Sequence, residues 1–474
     1  MQEEYVERVG TVRSLESSGP LEFHFPPASQ ALTDLSQVYL KLKVKVTRDG
    51  AAVKTVKGLT EDDLADPSGV NWAATGTEKG APDLDAKLSV CNAYFDSLFS
   101  QVSFYCNEIL VENQMHYHLI AYLQNVLSWD REAKSTALKS LTGWVSDEPG
   151  KYDEFDNAAT RVRQRDFILN GRVCHLKSKL NLGTMSTTHG ASRLLPNHVS
   201  LKIVLHRNPA RVPLLYTGEG DPDGIYDVEI VGAECELRRV NLAPAALREM
   251  ESKLSKSMQT FPFARSQLKT FNLSSGQSEV TLENMYNGVL VSICLSPASE
   301  KKNVSDETTF FFSSSCVRAC IKRFFSFFFF GNQPETIVLC MTTNSTFHGD
   351  IKKNTYKFAH HDLSEASLFS GGVQLPSPHG YRLDADAGDM LDAYMELYRR
   401  FPVWHGLTLD DFKKGAFLLV FKLAGAVPGH HGIVSARFKF KKSTTDTLTV
   451  LSLASYTSKF HVDNLRNFSF DHTP

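Results

Sequence analysis

The chain lacks the features that most often announce a function. None of its 474 residues forms an apolar run near the roughly 20 residues that a spanning helix needs. Its eight cysteines (Cys91, Cys106, Cys174, Cys235, Cys294, Cys316, Cys320 and Cys340) show neither metal-type nor disulfide-type spacing. Reduced, mostly buried thiols are expected. The net charge of −2 provides no global drive towards nucleic acid or an anionic membrane, so any such contact has to be local. Met1-Gln2-Glu3-Glu4 is acidic and leads into no apolar stretch, which predicts no secretory signal. The sequons at Asn272, Asn303, Asn344 and Asn467 are then expected to be chance matches. No GxxxxGK[ST], GxSxG, HExxH or GxGxxG motif is present, and neither a cofactor nor a catalytic role is expected.

What the chain has is a repeated plan. Leu98-Phe99-Ser100 leads into a short strand, a polar turn, a second strand and a helical stretch from about His116 to Leu141; Leu368-Phe369-Ser370 opens a similar run, with a helix from about Ala387 to Phe401. At 42% hydrophobic and 22% charged residues, the composition suits two β-rich domains of about 200 residues each. The predicted fold is all-β: two eight-stranded antiparallel sandwiches, a double jelly-roll, with a helical insertion in each half.

Residues 1–20 read as an extended N-terminal arm, closed by Gly19-Pro20. The first jelly roll is placed at 21–243. Val38, Leu40, Leu42, Val44 and Val46 alternate with Tyr39, Lys41, Lys43 and Lys45, the pattern of an antiparallel strand wet on one side. Residues 48–85 read as a long loop, Phe167–Leu169 as a strand, and Val228–Val240 as the closing strand. Pro244–Leu254, with proline in its first turn, supplies a linker helix within 244–258. The second jelly roll is placed at 259–474, ending in three strands at 417–423, 434–440 and 448–462.

Residues 300–341 break the pattern. They hold nine of the 31 phenylalanines and three of the eight cysteines, without periodicity. Four adjacent phenylalanines cannot all face one core, and exposed they invite aggregation. Two explanations stand: a genuine insertion, or a translated intron, with Val304-Ser305 as the reading of a splice donor and the phenylalanine tract as that of a pyrimidine-rich acceptor.

Few residues offer chemistry. His116 and His118, the run His360-His361-Asp362, and His430-His431 have metal-like composition. On a strand His116 and His118 would share a face and could both ligate a metal, but they stand at a helix start, and adjacent histidines on a strand point apart; structural roles are expected. Cys316 and Cys320 lack a second ligand pair. Asp384, Asp386, Asp389 and Glu396 cluster at a helix start, where acidic residues favour the macrodipole. Arg161, Arg163 and Arg165 alternate with Val162 and Gln164. On a strand they would share a face able to contact phosphate, or serve as the protective charge of an edge. They are the one candidate patch.

Several ordered motifs carry a family likeness: Gly19-Pro20-Leu21-Glu22-Phe23, Leu35-Ser36-Gln37-Val38-Tyr39-Leu40, Leu98-Phe99-Ser100-Gln101-Val102 with its turn at Asn107-Glu108, Asn354-x-Tyr356-x-Phe358-x-His360, Gly415-Ala416-Phe417, and Asp463-Asn464-Leu465-Arg466. In their order and spacing the chain resembles the major capsid protein (hexon) of Maverick/Polinton-type elements and adintoviruses. The resemblance implies a homotrimer with six sandwiches, a pseudo-hexagonal tile of an icosahedral capsid. It also implies a virion location after assembly inside the host cell, and minor capsid and penton proteins as partners. Contacts between chains are expected on the helical insertions, after Tyr456 and on the N-terminal arm. The alternatives are a lectin-like jelly-roll module using Trp144 or Trp404 as sugar platforms, and a minor capsid or penton protein.

Overall fold

The computed structural model describes residues 3–15, 19–53, 87–154, 157–168, 171–186, 194–218, 222, 224–287, 290–292, 328–330, 333–384, 389–401, 403–424 and 433–471. The first half contains β1 (Glu3–Gly10), β2 (Leu21–Phe25), β3 (Ala31–Arg48), β4 (Phe99–Cys106), β5 (Ile109–Met115), β6 (Cys174–Lys179), β7 (Leu201–Arg207) and β8 (Tyr226–Asn241). The second contains β9 (Gln259–Leu273), β10 (Glu279–Asn287), β11 (Thr336–Thr343), β12 (Leu363–Ser370), β13 (Val373–Leu375), β14 (Leu419–Lys422), β15 (Ile433–Phe440) and β16 (Leu448–Val462).

The sheets show that the halves are one design used twice. In the first half the strand orders are β1-β8-β3-β6 and β2-β7-β4-β5; in the second they are β9-β16-β11-β14 and β10-β15-β12-β13. Adding eight to each strand of the first half reproduces the second. Every pairing among them is antiparallel. This is a double jelly-roll: each module closes its core between two facing sheets.

Alternation explains the strands. On β3 the valines and leucines face the core, fully buried at Leu40, Leu42 and Val44. The outward lysines meet glutamates on β8: Lys45 pairs with Glu229 at 3.0 Å and Lys41 with Glu234 at 3.9 Å. Residues 3–10, expected as an arm, are instead an edge strand paired along its whole length with β8, from Glu3 opposite Asn241 to Gly10 opposite Glu234. Phe167, expected in a strand, ends a helix.

The helices sit between the equivalent strands β5 and β6, and β13 and β14. The first insertion holds α1 (Tyr117–Ser128), further helical turns over Arg131–Thr142, and α2 (Ala158–Phe167). α3 (Pro244–Leu254) joins the modules. The second insertion holds α4 (Leu391–Arg400) and α5 (Leu409–Lys413). The repeated tripeptide marks the same strand in each module but not the same place in it. Leu98-Phe99-Ser100 enters β4, whereas Leu368-Phe369-Ser370 ends β12.

The anomalous segment is narrower than expected. Residues 336–341 belong to β11, held between β14 and β16 with Ile337 to Met341 buried. Leu290–Ser292 pairs antiparallel with Phe328–Phe330, so Ser292 and Phe328 stand opposite each other in the link between β10 and β11. Cys316, Cys320 and most of the phenylalanine run lie outside the described residues, as does the bulk of the 48–85 loop.

Candidate functional site

The distinctive site is the seam where the two modules meet. α1 begins at His116, whose backbone is left-handed (φ 53°), and ten of its twelve residues are buried. A helix apolar on nearly every side needs cover on every side, and here the second module supplies part of it. The Tyr122 ring stacks on Tyr356 at 4.0 Å between centroids, on Trp144 at 5.3 Å, and tilts against Phe358 at 6.1 Å. One core cluster therefore mixes α1 residues with β11, β12, β15 and β16. The other reaches back: Phe261, Phe263, Phe460, Val462 and Phe468 pack into the first module.

A buried polar knot lies beside this stack. Asp147 accepts from Arg163 Nη2, from Asn157 Nδ2 at 3.0 Å and from Asn354 Nδ2 at 3.3 Å. Asn354 donates its backbone N–H to Asp153 at 2.8 Å, and Lys357 is ion-paired to the same carboxylate. Gly415 comes so close to Tyr152 that a Cβ there would lie 2.2 Å from the ring, and its φ is +146°. Only glycine fits that approach.

This geometry corrects the arginine patch. Arg161, Arg163 and Arg165 lie on α2, which Asn157 caps by accepting the Ala159 N–H at 2.9 Å. On a helix, residues 161 and 165 share a face and 163 points away from it. Arg163 is 0% exposed and donates to the Val145 carbonyl at 2.7 Å; Arg165 pairs with Asp166. The three guanidinium groups therefore do not share one face.

A second knot ties the far end. Arg466 donates to the Asn197 carbonyl at 2.9 Å and side chain at 2.6 Å, and pairs with Glu251 on α3. Asn107 donates to the Arg466 carbonyl at 3.3 Å. Between the knots, Glu112 accepts from the Gly183 and Thr184 N–H groups, both at 2.9 Å, and burial raises its pKa. Gly183 itself abuts the Ala264 carbonyl of β9, where a Cβ would stand at 1.8 Å. Asn107, Asn354, Tyr356, Gly415 and Arg466, singled out by the motifs, are thus seam residues. Arg163 and Gly183 carry no local sequence signal of that role, since their partners lie on other elements.

The remaining candidates are structural. Burial lowers the His118 pKa to about 3, aided by His116, and that of His361 to about 4, aided by His360. Asp384 pairs with Lys441; Asp386 and His430-His431 lie outside the described residues. Among the described residues no group of three His, Cys, Asp or Glu side chains could hold a metal ion, and no helix is long and apolar enough to cross a membrane. Cys91, Cys106, Cys174, Cys235 and Cys340 are free and buried. Burial raises the Cys91 and Cys174 thiols to about 11, which disfavours the thiolate form. Trp144 is buried, which removes it as a sugar platform; Trp404 is 80% exposed.

No family model and no curated protein matches the chain. Solved structures do. A chain from the cryo-EM structure of the Sputnik virophage aligns over 100% of this chain and 89% of its own, with TM-score 0.57 and 11% identity. The Faustovirus major capsid protein aligns over 97% and 90%, with TM-score 0.51 and 8% identity. The mavirus major capsid protein aligns over 98% and 89%, with TM-score 0.50 and 8% identity. At such identities the likeness is one of fold, and it spans both modules: the chain has the double jelly-roll fold of these viral capsid proteins.

Proposed function

We propose that this protein is the major capsid protein of an icosahedral virus shell, with no catalytic role. The observation that carries the reading is the seam: two topologically identical modules are locked side by side by interleaved cores and buried polar knots. A chain so built is a stiff double brick. Three such chains around a threefold axis place six similar sandwiches in a ring and fill a pseudo-hexagonal footprint. The likeness in fold to the Faustovirus and mavirus major capsid proteins supports the same reading. The finer assignment to the Maverick/Polinton and adintovirus group rests on the motifs above. So do assembly in the host cell, a place in the virion, and minor capsid and penton partners.

The test is light scattering on the eluting protein, followed by negative-stain microscopy. Particles of three chain masses with a hexagonal outline are expected. A stable monomer at micromolar concentration overturns the reading. It would favour the lectin-like alternative, for which Trp404 is the one exposed tryptophan in a second-module loop, and glycan binding lost in Trp404→Ala would then follow.

A further inference from the structure

We infer that α4 of one copy docks against the β1 edge of the next copy's first module, repeating between chains the contact that α1 makes with the second module within a chain. The inference rests on the capsid reading and adds the surfaces that close the ring.

The argument is the internal repeat. α1 and α4 occupy the same place, between the fifth and sixth strands of their modules. α1 is covered by the following module: Tyr122 stacks on Tyr356, and Gln124 donates to Ser266 on β9 at 3.0 Å. Ten of its twelve residues are buried. α4 is the same device without such cover among the described residues. Of its ten residues only Ala393 and Leu397 are buried. Leu391 and Met395, one turn apart, are 53% and 47% exposed, and Trp404, edge-to-face with Tyr398 of the same helix at 6.0 Å, extends the stripe.

The repeat also names the receiving surface. α1 is received partly by β9, the outer strand of its sheet; the strand equivalent to β9 is β1, likewise outermost. β1 carries Val6 at 56% exposure and an exposed Tyr5, apolar residues on a sheet edge that stable proteins otherwise shield. The stripe leaves roughly 400 Å² of largely apolar side chain open, about half of what one partner contributes to a standard interface. A second copy is the occupant because one head-to-tail step, alternately within and between chains, carries the same contact around a closed ring.

Two measurements decide it. In the full chain, Leu391→Glu with Met395→Glu is expected to weaken trimer association about a hundredfold or more, with circular dichroism and melting temperature unchanged because both side chains are exposed. Separately, Met395→Cys and Val6→Cys proteins are mixed and treated with a short bismaleimide, with wild type as the background control. A cross-linked dimer is expected from the mixture and not from either variant alone. If wild type is a trimer while the Glu variant remains one, or if a single variant cross-links to itself, this interface is wrong and the capsid reading stands. If wild type is a monomer, the capsid reading itself fails.

Discussion

Tyr122 and Tyr356 lie face to face across the seam, with ring centroids 4.0 Å apart and planes 7° apart. The first belongs to the helical insertion of one module and the second to the segment between β11 and β12 of the other. Each ring is buried in part by residues that its own module does not supply. The two sandwiches are therefore not beads on a linker, and the cores of both depend on the junction.

The knot around Asp147 should behave as a buried ion pair. Arg163→Ala strands that carboxylate and is expected to cost about 3–5 kcal/mol, measured by denaturant unfolding. Arg163→Lys should recover only part of the loss, because one ammonium cannot reproduce the forked contacts to Val145, Asp147 and Thr160. Binding of phosphate or short DNA should be the same in folded wild type and folded Arg163→Lys. A selective loss in the variant would restore the patch.

Gly415→Ala tests the close approach to Tyr152. The added methyl meets the ring in a backbone region closed to L residues, and about 2–5 kcal/mol of destabilisation is expected. Pairing it with Tyr152→Ala should recover the steric part. An unchanged melting temperature for the single variant would show that the seam gives way at that point.

Asp96 predicts a pH dependence of unusual sign. It is fully buried, accepts from Tyr117 at 3.2 Å and Asn125 at 2.9 Å, and burial raises its pKa from 3.8 to about 7. The folded state keeps a proton that the unfolded chain has released. The stability from this group is thus complete below about pH 4 and is lost as pH rises towards 7, by at most about 1.4 kcal/mol per pH unit. His118, whose pKa is lowered to about 3, acts oppositely, with stability present above about pH 6.5 and lost as pH falls. Asp96→Asn isolates the first effect: its stability relative to wild type should rise between pH 5 and pH 7. A flat difference across that range rejects the assignment.

The segment between Ser292 and Phe328 should be dispensable for folding. Those two residues are antiparallel partners, so a two-residue Asn-Gly turn can join them directly. The shortened chain is expected to melt within a few degrees of wild type. Failure to fold would show that the insertion contributes to the second module. Transcript reads crossing the segment without a gap would separately exclude the intron explanation.

Elements with a strong local signature were legible from the residues alone. Pro244–Leu254 is the expected helix, started by a proline that needs no N–H partner, and Leu448–Val462 is the expected long strand. The duplication was legible too, although the tripeptide that drew attention to it marks opposite ends of equivalent strands. Strand alternation misled at the arginines. Arg-x-Arg-x-Arg suits an edge strand as well as a helix, and what selects the helix is an Asn157 cap and a buried Asp147 sixteen residues before Arg163. Trp144 and Trp404 look alike in sequence; one is stacked on Tyr122 and the other stands in solvent.

By itself the sequence determined the elements with strong local signatures and that the plan occurs twice, because periodicity, caps and turns act over a few residues. Tertiary structure alone decided which helix is buried, which arginine is a core residue and which glycine admits no side chain. Those outcomes depend on groups brought together from distant parts of the chain, where a buried charge needs a partner and two backbones compete for the same space.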